Sequence, residues 1–408
     1  MSAISQSSVF ARRAAGLATN FPAPHFPTEL EPGTIAFDSG FAFSGLLPDL
    51  TAFAHDALTT HRAECLQYSA NQGQPELRNW IAQYMNADGC ALSPEEIIVV
   101  NGAKHGIELI CKMLLNEGDA VVVTAPTYFS AIPIFGSFGA ELIEVGQDDD
   151  GLRVDQLEAI VVKREQSGKR APKIVYNVAD FHNPTGLSMS RARREALIAL
   201  AARAGMMIVE DNPYRRVRFE GSDVPTLKAL DRDRVVLHAG TFSKLIAPGL
   251  RIGWIAARRD LIVRLIQLKA DGGSSALMQR IVYEFCNSPA FTTHVERVRH
   301  TYGAHRDRMV MALRRHLPEI SLTVPEGGYY VWLRLPDGMS GDVFAAAAAK
   351  ARVNVLAGSK FFPGGANYPR NAASGRDRVR LSYSFATLEQ IDEGVERLAI
   401  VYASMAGA

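Results

Sequence analysis

The chain has 408 residues, 47% hydrophobic and 21% charged, with a formal net charge of +1. That length supports a large core with a satellite domain, so no metal or disulfide staple is required. A near-neutral balance excludes binding that rests on phosphate neutralisation, hence no nucleic acid. No apolar run reaches the roughly eighteen residues of a membrane span.

Residues 1–28 hold Arg12 and Arg13 and no acid, a faint likeness to a transit peptide; the plainer reading is an N-terminal arm. Pro and Gly crowd residues 21–48. Leu77, Trp80, Ile81, Tyr84 and Met85 then follow one helical face. Apolar runs at 97–100, 120–124, 141–145, 173–178, 206–210, 234–239 and 252–256 read as seven strands. Helical patterns lie between them, including one around Ile107, Ile110, Leu114 and Leu115 and another over 190–204. The strand runs are continuous rather than alternating, as in a mostly parallel sheet covered by helices on both faces. Helices dominate 261–317, and strands at 329–335, 353–356 and 378–385 suggest a smaller α+β domain. The expected division is an arm at 1–48 packing with the small domain, a large domain at 49–290 and a small domain at 291–408. Cys65, Cys90, Cys111 and Cys286 are scattered without CxxC spacing, so no metal site is expected and the thiols suit a cytoplasmic protein.

In an α/β sheet ligands bind at the carboxyl ends of strands. Those ends carry Asn101-Gly102-Ala103-Lys104, Pro126-Thr127-Tyr128, His182-Asn183-Pro184-Thr185-Gly186, Asp211-Asn212-Pro213-Tyr214 and Thr241-Phe242-Ser243-Lys244, with Arg251 beyond. Together they offer an anion nest, an aromatic face, an amide, a carboxylate with a phenol, and a lysine flanked by hydroxyls. Pyridoxal 5′-phosphate needs that set: a lysine for its aldehyde, an acid for its pyridine nitrogen, donors for its phenolate oxygen, and amides, hydroxyls and an arginine for its phosphate. Taken singly, each motif has a bland reading as a turn, a helix cap or a solvated charge.

In order and at this spacing, the sequence resembles the class I/II aminotransferases of fold-type I, and is most similar to the 2-aminoadipate/kynurenine branch. The resemblance runs from Ile35 to about Leu398. It implies that Lys244 forms the Schiff base and shuttles the proton. Asp211 would pair with the pyridine nitrogen, Tyr214 and Asn183 would bond the phenolate oxygen, and Tyr128 would stack on the ring. Gly102, Ala103, Lys104, Thr241, Ser243 and Arg251 would hold the phosphate. Arg380 would clamp the substrate α-carboxylate, with Asn183 and with Gly40 in a flexible segment that closes over substrate. Tyr68 would reach the neighbouring subunit's phosphate, so a homodimer with shared sites is implied. The reaction implied is transfer of an amino group from an L-amino acid to a 2-oxo acid by a ping-pong route.

Two departures bear on substrate and reaction. The branch usually reads Gly-Ser-Gln-Gln where this chain has Gly102-Ala103-Lys104-His105, so a hydroxyl is exchanged for a cation open to either phosphate or substrate. The loop at 271–275 is shorter than usual. A lyase, a cyclase of a hydroxylated amino acid or an oxidase on the same fold is the alternative reaction. A transcription regulator with an aminotransferase-like domain is set aside, because residues 1–34 show no helix-turn-helix pattern. Phe41, Phe43, Phe361 and Phe362 suggest apolar or aromatic substrates, while Lys104, Lys360 and Arg370 could equally meet a distal carboxylate. His182 reads as positional, the acidic run 148–150 as a solvated loop, and Trp80, Trp254 and Trp332 as core.

Overall fold

The computed structural model describes Ala11, residues 30–363 and residues 375–406. Arg12, Arg13 and Arg370, singled out above, lie outside those residues. The first strand, β1 (Ile35–Ala36), precedes a central sheet of eight. These are β2 (Ile97–Val100), β3 (Ala120–Ala125), β4 (Glu141–Asp148), β5 (Gly151–Leu152), β6 (Ile174–Asn177), β7 (Met207–Asn212), β8 (Val236–Thr241) and β9 (Gly253–Ala256). Their spatial order is β2-β9-β8-β7-β6-β3-β4-β5. All pairings from β8 through β7, β6 and β3 to β4 are parallel; β9 runs antiparallel to both of its neighbours.

All seven strands expected from the apolar runs are present. The eighth, β5, has two residues and turns back on the end of β4. The acidic run at 148–150 is therefore a hairpin tip, and the Asp148 carboxylate accepts from Arg193 at 3.1 Å. Strands β2 and β6 are buried along their whole length, because helices cover both faces. Each fully buried Val or Ile there contributes about 1.5–3 kcal/mol relative to exposure. The helix Arg191–Ala204 starts where the Ser190 hydroxyl caps the Arg193 amide and stops where Gly205 turns left-handed at φ 68°. In the helix Pro75–Asn86, Leu77, Ile81 and Met85 are buried, while Trp80 and Tyr84 stack at 4.8 Å.

The C-terminal sheet holds β10 (Ser321–Thr323), β11 (Tyr330–Arg334), β13 (Leu356–Ala357) and β14 (Arg378–Ser382), all antiparallel. The strand expected at 353–356 divides between two sheets. Its first half, β12 (Val353–Asn354), pairs in parallel with β1, and only β13 joins the four-stranded sheet. Beyond β1 the chain crosses towards the carboxyl ends of the central strands as a strap at 37–43. The Phe37 amide donates to the Asn354 carbonyl at 2.8 Å, and the Phe37 carbonyl accepts from the Ser382 amide at 2.7 Å. The Ser384 hydroxyl donates to the Phe41 carbonyl at 2.7 Å, and the Phe43 amide donates to the Tyr302 hydroxyl at 3.1 Å. Ile35 and Phe37 are buried in one core with Val395 and Leu398, which fixes the strap's starting point.

Candidate active site

The strap meets the segment that follows β8 and strand β14 of the smaller sheet. Lys244 follows β8, and its ammonium donates to the Gly40 carbonyl at 2.6 Å. Burial pushes its pKa below the ordinary lysine value; Arg380 and Arg251 add to the push, against Tyr330 and Asp211. A larger share of free amine at neutral pH follows. The Tyr329 ring lies 5.4 Å from this nitrogen, and the Tyr329 hydroxyl donates to the Lys244 carbonyl at 2.9 Å.

Asp211, near the end of β7, is buried at 3% exposure. Its Oδ2 accepts from the Tyr176 hydroxyl at 2.6 Å, but Oδ1 has no hydrogen-bond partner. Burial raises its pKa to about 6, even though Tyr176, His238 and Lys244 pull the other way. A buried carboxylate oxygen with nothing to bond asks for a cationic donor, and a protonated pyridine nitrogen is one. The flanking residues hold this strand end rigid. Glu210 accepts from His238 at 2.8 Å, and Asn212 donates to Asp180 at 2.9 Å. Burial works to raise the Asp180 carboxyl, yet Arg194 at 2.7 Å, with Arg215 and Asn212, keeps it below its ordinary value.

After β2, Gly102 at φ 85° caps the helix Ala103–Leu114. The first-turn amides of Ala103 and Lys104 have no helix carbonyl ahead of them. A Cβ on Gly102 would meet the Arg251 guanidinium at 2.7 Å, so glycine is required there by space as well as by φ. Arg251 is itself left-handed at φ 54°, and its Nη2 donates to the Asn101 carbonyl at 2.9 Å. The Thr241 and Ser243 hydroxyls lie 2.9 Å apart beside it. Amides at a helix start, two hydroxyls and a guanidinium suit a phosphate. The residues present thus fit pyridoxal phosphate at both its nitrogen and its phosphate ends.

Across the cluster, Arg380 in β14 is 1% exposed. It donates to Asn183 Oδ1 at 2.9 Å and also to the Asp38 carbonyl of the strap, and its Nε has no partner. Three rings surround the guanidinium: Tyr330 at 4.1 Å, Phe361 at 5.1 Å and Phe129 at 6.0 Å. Tyr214 bonds Tyr330 at 3.3 Å through its hydroxyl. Burial pushes Tyr128 up to about 12 and Tyr214 well above the ordinary tyrosine value. His182 sits between the Thr124 and Thr185 hydroxyls, 3.0 Å from each; burial lowers it to about 3, so it stays neutral.

Residues 39–398 match the model of aminotransferase class I and II. The chain belongs to that family. It is 34% identical to aromatic-amino-acid aminotransferase 1 of Thermococcus litoralis over 348 residues, 84% of this chain and 81% of that protein. The multiple substrate aminotransferase of Thermococcus profundus superimposes with a TM-score of 0.90 at 32% identity, covering 99% of this chain and 100% of that one. The α-aminoadipate aminotransferase of Thermus thermophilus, solved with N-(5′-phosphopyridoxyl)-L-leucine, superimposes at 0.87 with 30% identity and covers 99% and 100%. The fold is therefore fold-type I, the activity is amino-group transfer, and the cofactor is pyridoxal phosphate.

Within this aminotransferase, two predicted residues stand apart from the cluster. Tyr68 is 88% exposed, its ring next to Gly272. The Lys104 side chain is exposed and forms no hydrogen bond or ion pair with the described residues, although its amide belongs to the helix start above. Lys360 is exposed too. Sequence reasoning passed over Tyr176 and Tyr330. The signal for Tyr176 was a phenol inside an otherwise apolar run, Ile174-Val175-Tyr176. For Tyr330 it was the Tyr329-Tyr330 pair opening a predicted strand. The role of the Asp38 and Gly40 carbonyls left no signal, since any residue supplies a carbonyl.

Proposed function

We propose that Lys244 carries the cofactor and moves the substrate α-proton, with Asp211 opposite the pyridine nitrogen. The observation that carries this reading is the bare, buried Asp211 Oδ1 in the same cluster as a lysine of lowered pKa. Pyridoxal phosphate, when bound, supplies an aldehyde that links to amines and a cationic ring that draws electron density from the substrate α-carbon. Lys244, whose burial favours the neutral amine, would serve as the base that takes the proton from that carbon and the acid that returns it. Asp211 keeps the ring nitrogen protonated. Asn183 and Tyr214 hold the cofactor's phenolate oxygen, and Tyr128 covers its ring. The amides of Gly102, Ala103 and Lys104, with Thr241, Ser243 and Arg251, hold its phosphate.

Arg380 clamps the α-carboxylate together with Asn183, and the strap around Gly40 closes the site against water. Phe129 and Phe361 around Arg380, with Phe41 against Phe385 at 5.9 Å, favour amino donors with apolar or aromatic side chains. A donor screen with 2-oxoglutarate as acceptor tests this. Equal or greater rates with acidic donors than with phenylalanine or leucine would contradict it. Borohydride reduction of the holoprotein followed by peptide mapping should mark Lys244, and Lys244→Ala should lose the visible absorbance of the bound cofactor. A label on another lysine would overturn the assignment.

The same reading divides the chain into an arm at 1–48, a large domain at 49–290 and a small domain at 291–408. The last boundary falls at the start of the helix Pro289–His316. It also takes the working unit to be a cytoplasmic homodimer. Free thiols at all four cysteines favour the compartment. The exposed Tyr68, beside the loop at 271–275, favours the dimer.

A further inference from the structure

We infer that Tyr330 is a positioning residue of the transfer, whose hydroxyl couples the carboxylate-binding arginine to the phenol that tunes the cofactor. The inference rests on the roles proposed above for Tyr214 and Arg380. Tyr330 is 3% exposed and opens β11. Its ring face carries the Arg380 guanidinium at 4.1 Å, and a phenylalanine would do the same. The hydroxyl is the additional feature. It bonds Tyr214 Oη at 3.3 Å, the phenol assigned to the cofactor's oxygen.

The strap accommodates that hydroxyl. A Cβ built on Gly40 would overlap Tyr330 Oη and would stand 3.7 Å from Lys244 Nζ. Gly40 has no positive φ, so space alone requires glycine there. The phenol oxygen thus sits against the strap backbone, close to the amine that moves the proton. The groups facing it are Lys244, Arg380 and the phenols of Tyr128, Tyr214, Tyr329 and Tyr383.

Tyr214 has one proton to donate. Without cofactor that proton goes to the Tyr330 hydroxyl; once it is given to the cofactor's phenolate oxygen instead, the Tyr214 oxygen is free to accept, and the Tyr330 hydroxyl at 3.3 Å would turn to donate to it. A chain of two phenols polarises along its length, so Tyr214 becomes a stronger donor than it would be alone. With the cofactor bound, its phenolate oxygen would then be a weaker base, which is what a titration of the visible absorbance reads.

The test uses the reconstituted holoenzyme and titrates the visible absorbance of the bound cofactor against pH. Tyr330→Phe keeps the ring under Arg380 and removes the hydroxyl. The spectral pKa should rise by about 0.5 or more, and kcat should fall several-fold with KM for the amino donor little changed. Tyr330→Leu removes the ring as well, and should raise KM for amino acid and 2-oxo acid alike. In a Tyr214→Phe background the spectral effect of Tyr330→Phe should vanish, because the path between them is cut. An unmoved spectral pKa in Tyr330→Phe, whatever its thermal stability, overturns the inference if Tyr214→Phe does move it. If Tyr214→Phe leaves the spectrum unmoved too, the underlying assignment of Tyr214 fails and the inference fails with it.

Discussion

Asp211 is a carboxyl group whose charge is costly where it stands. Its folded pKa of about 6 lies above the ordinary 3.8, with burial as the main cause. Because the folded value is raised, the cofactor-free protein has its full stability from this group below pH 4 and loses it as pH rises through 6. The loss is on the order of 3 kcal/mol, since each tenfold change in proton affinity is worth about 1.4 kcal/mol. Asparagine keeps the bond from Tyr176 and carries no charge. Cofactor-free Asp211→Asn should therefore resist urea better than the unsubstituted protein at pH 8, with the advantage shrinking towards pH 4. In the holoenzyme the order should reverse, because the proposed pairing with the pyridine nitrogen would supply the missing positive partner. Turnover of Asp211→Asn should fall by about two orders of magnitude, roughly 2.7 kcal/mol of barrier. Equal urea midpoints for the two cofactor-free proteins at pH 8 would show that no stranded charge exists. Asp211 itself was legible in the sequence from its place after a strand and before Pro213-Tyr214. That one of its oxygens would be bare was not legible, because that depends on Tyr176 taking the other.

The strap is the element whose function the sequence conveyed least. Its glycine could be picked out by family likeness, but β1 and β12 are two residues each, too short for any periodicity to register. What they do is anchor residues 37–43 so that the Asp38 and Gly40 carbonyls meet Arg380 and Lys244. Those donors are the two assigned to the substrate carboxylate and to the reacting amine, so substrate entry requires both carbonyls to give way. Gly40→Ala tests this geometry. The new methyl would overlap the Tyr330 hydroxyl and hold the strap away from Arg380. KM for amino acid and 2-oxo acid should rise by about tenfold to a hundredfold, since small displacements in a site carry costs of that size. Cofactor affinity should change little. Adding Tyr330→Phe removes the overlapping atom and should restore part of the loss. If the double variant is as impaired as Gly40→Ala alone, the collision is not the cause.

At the scale of the molecule, the buried strands of the large sheet were legible because continuous apolar runs leave few alternatives for a covered sheet; their spatial order, with β9 antiparallel between β2 and β8, was not. The assembly was not, because one chain's pattern records an exposed tyrosine without recording what covers it. Tyr68 is 88% exposed and Leu66, two residues before it, 61%, apolar surface that a second copy would bury. If the copies share sites, each cofactor pocket takes Lys244 from one chain and Tyr68 from the other. Mixed dimers then give a decisive arrangement. Lys244→Ala subunits should be inactive, and Tyr68→Ala subunits should be weakened through poorer cofactor binding. In a hybrid of the two, one pocket carries both substitutions and the other carries neither. Mixing the variants and allowing subunit exchange should therefore raise activity per intact Lys244 above that of Tyr68→Ala alone, at low cofactor concentration. Light scattering on the same samples should report a dimer. A fully active monomer, or mixtures no more active than the sum of their parts, would mean that Tyr68 serves its own chain or none.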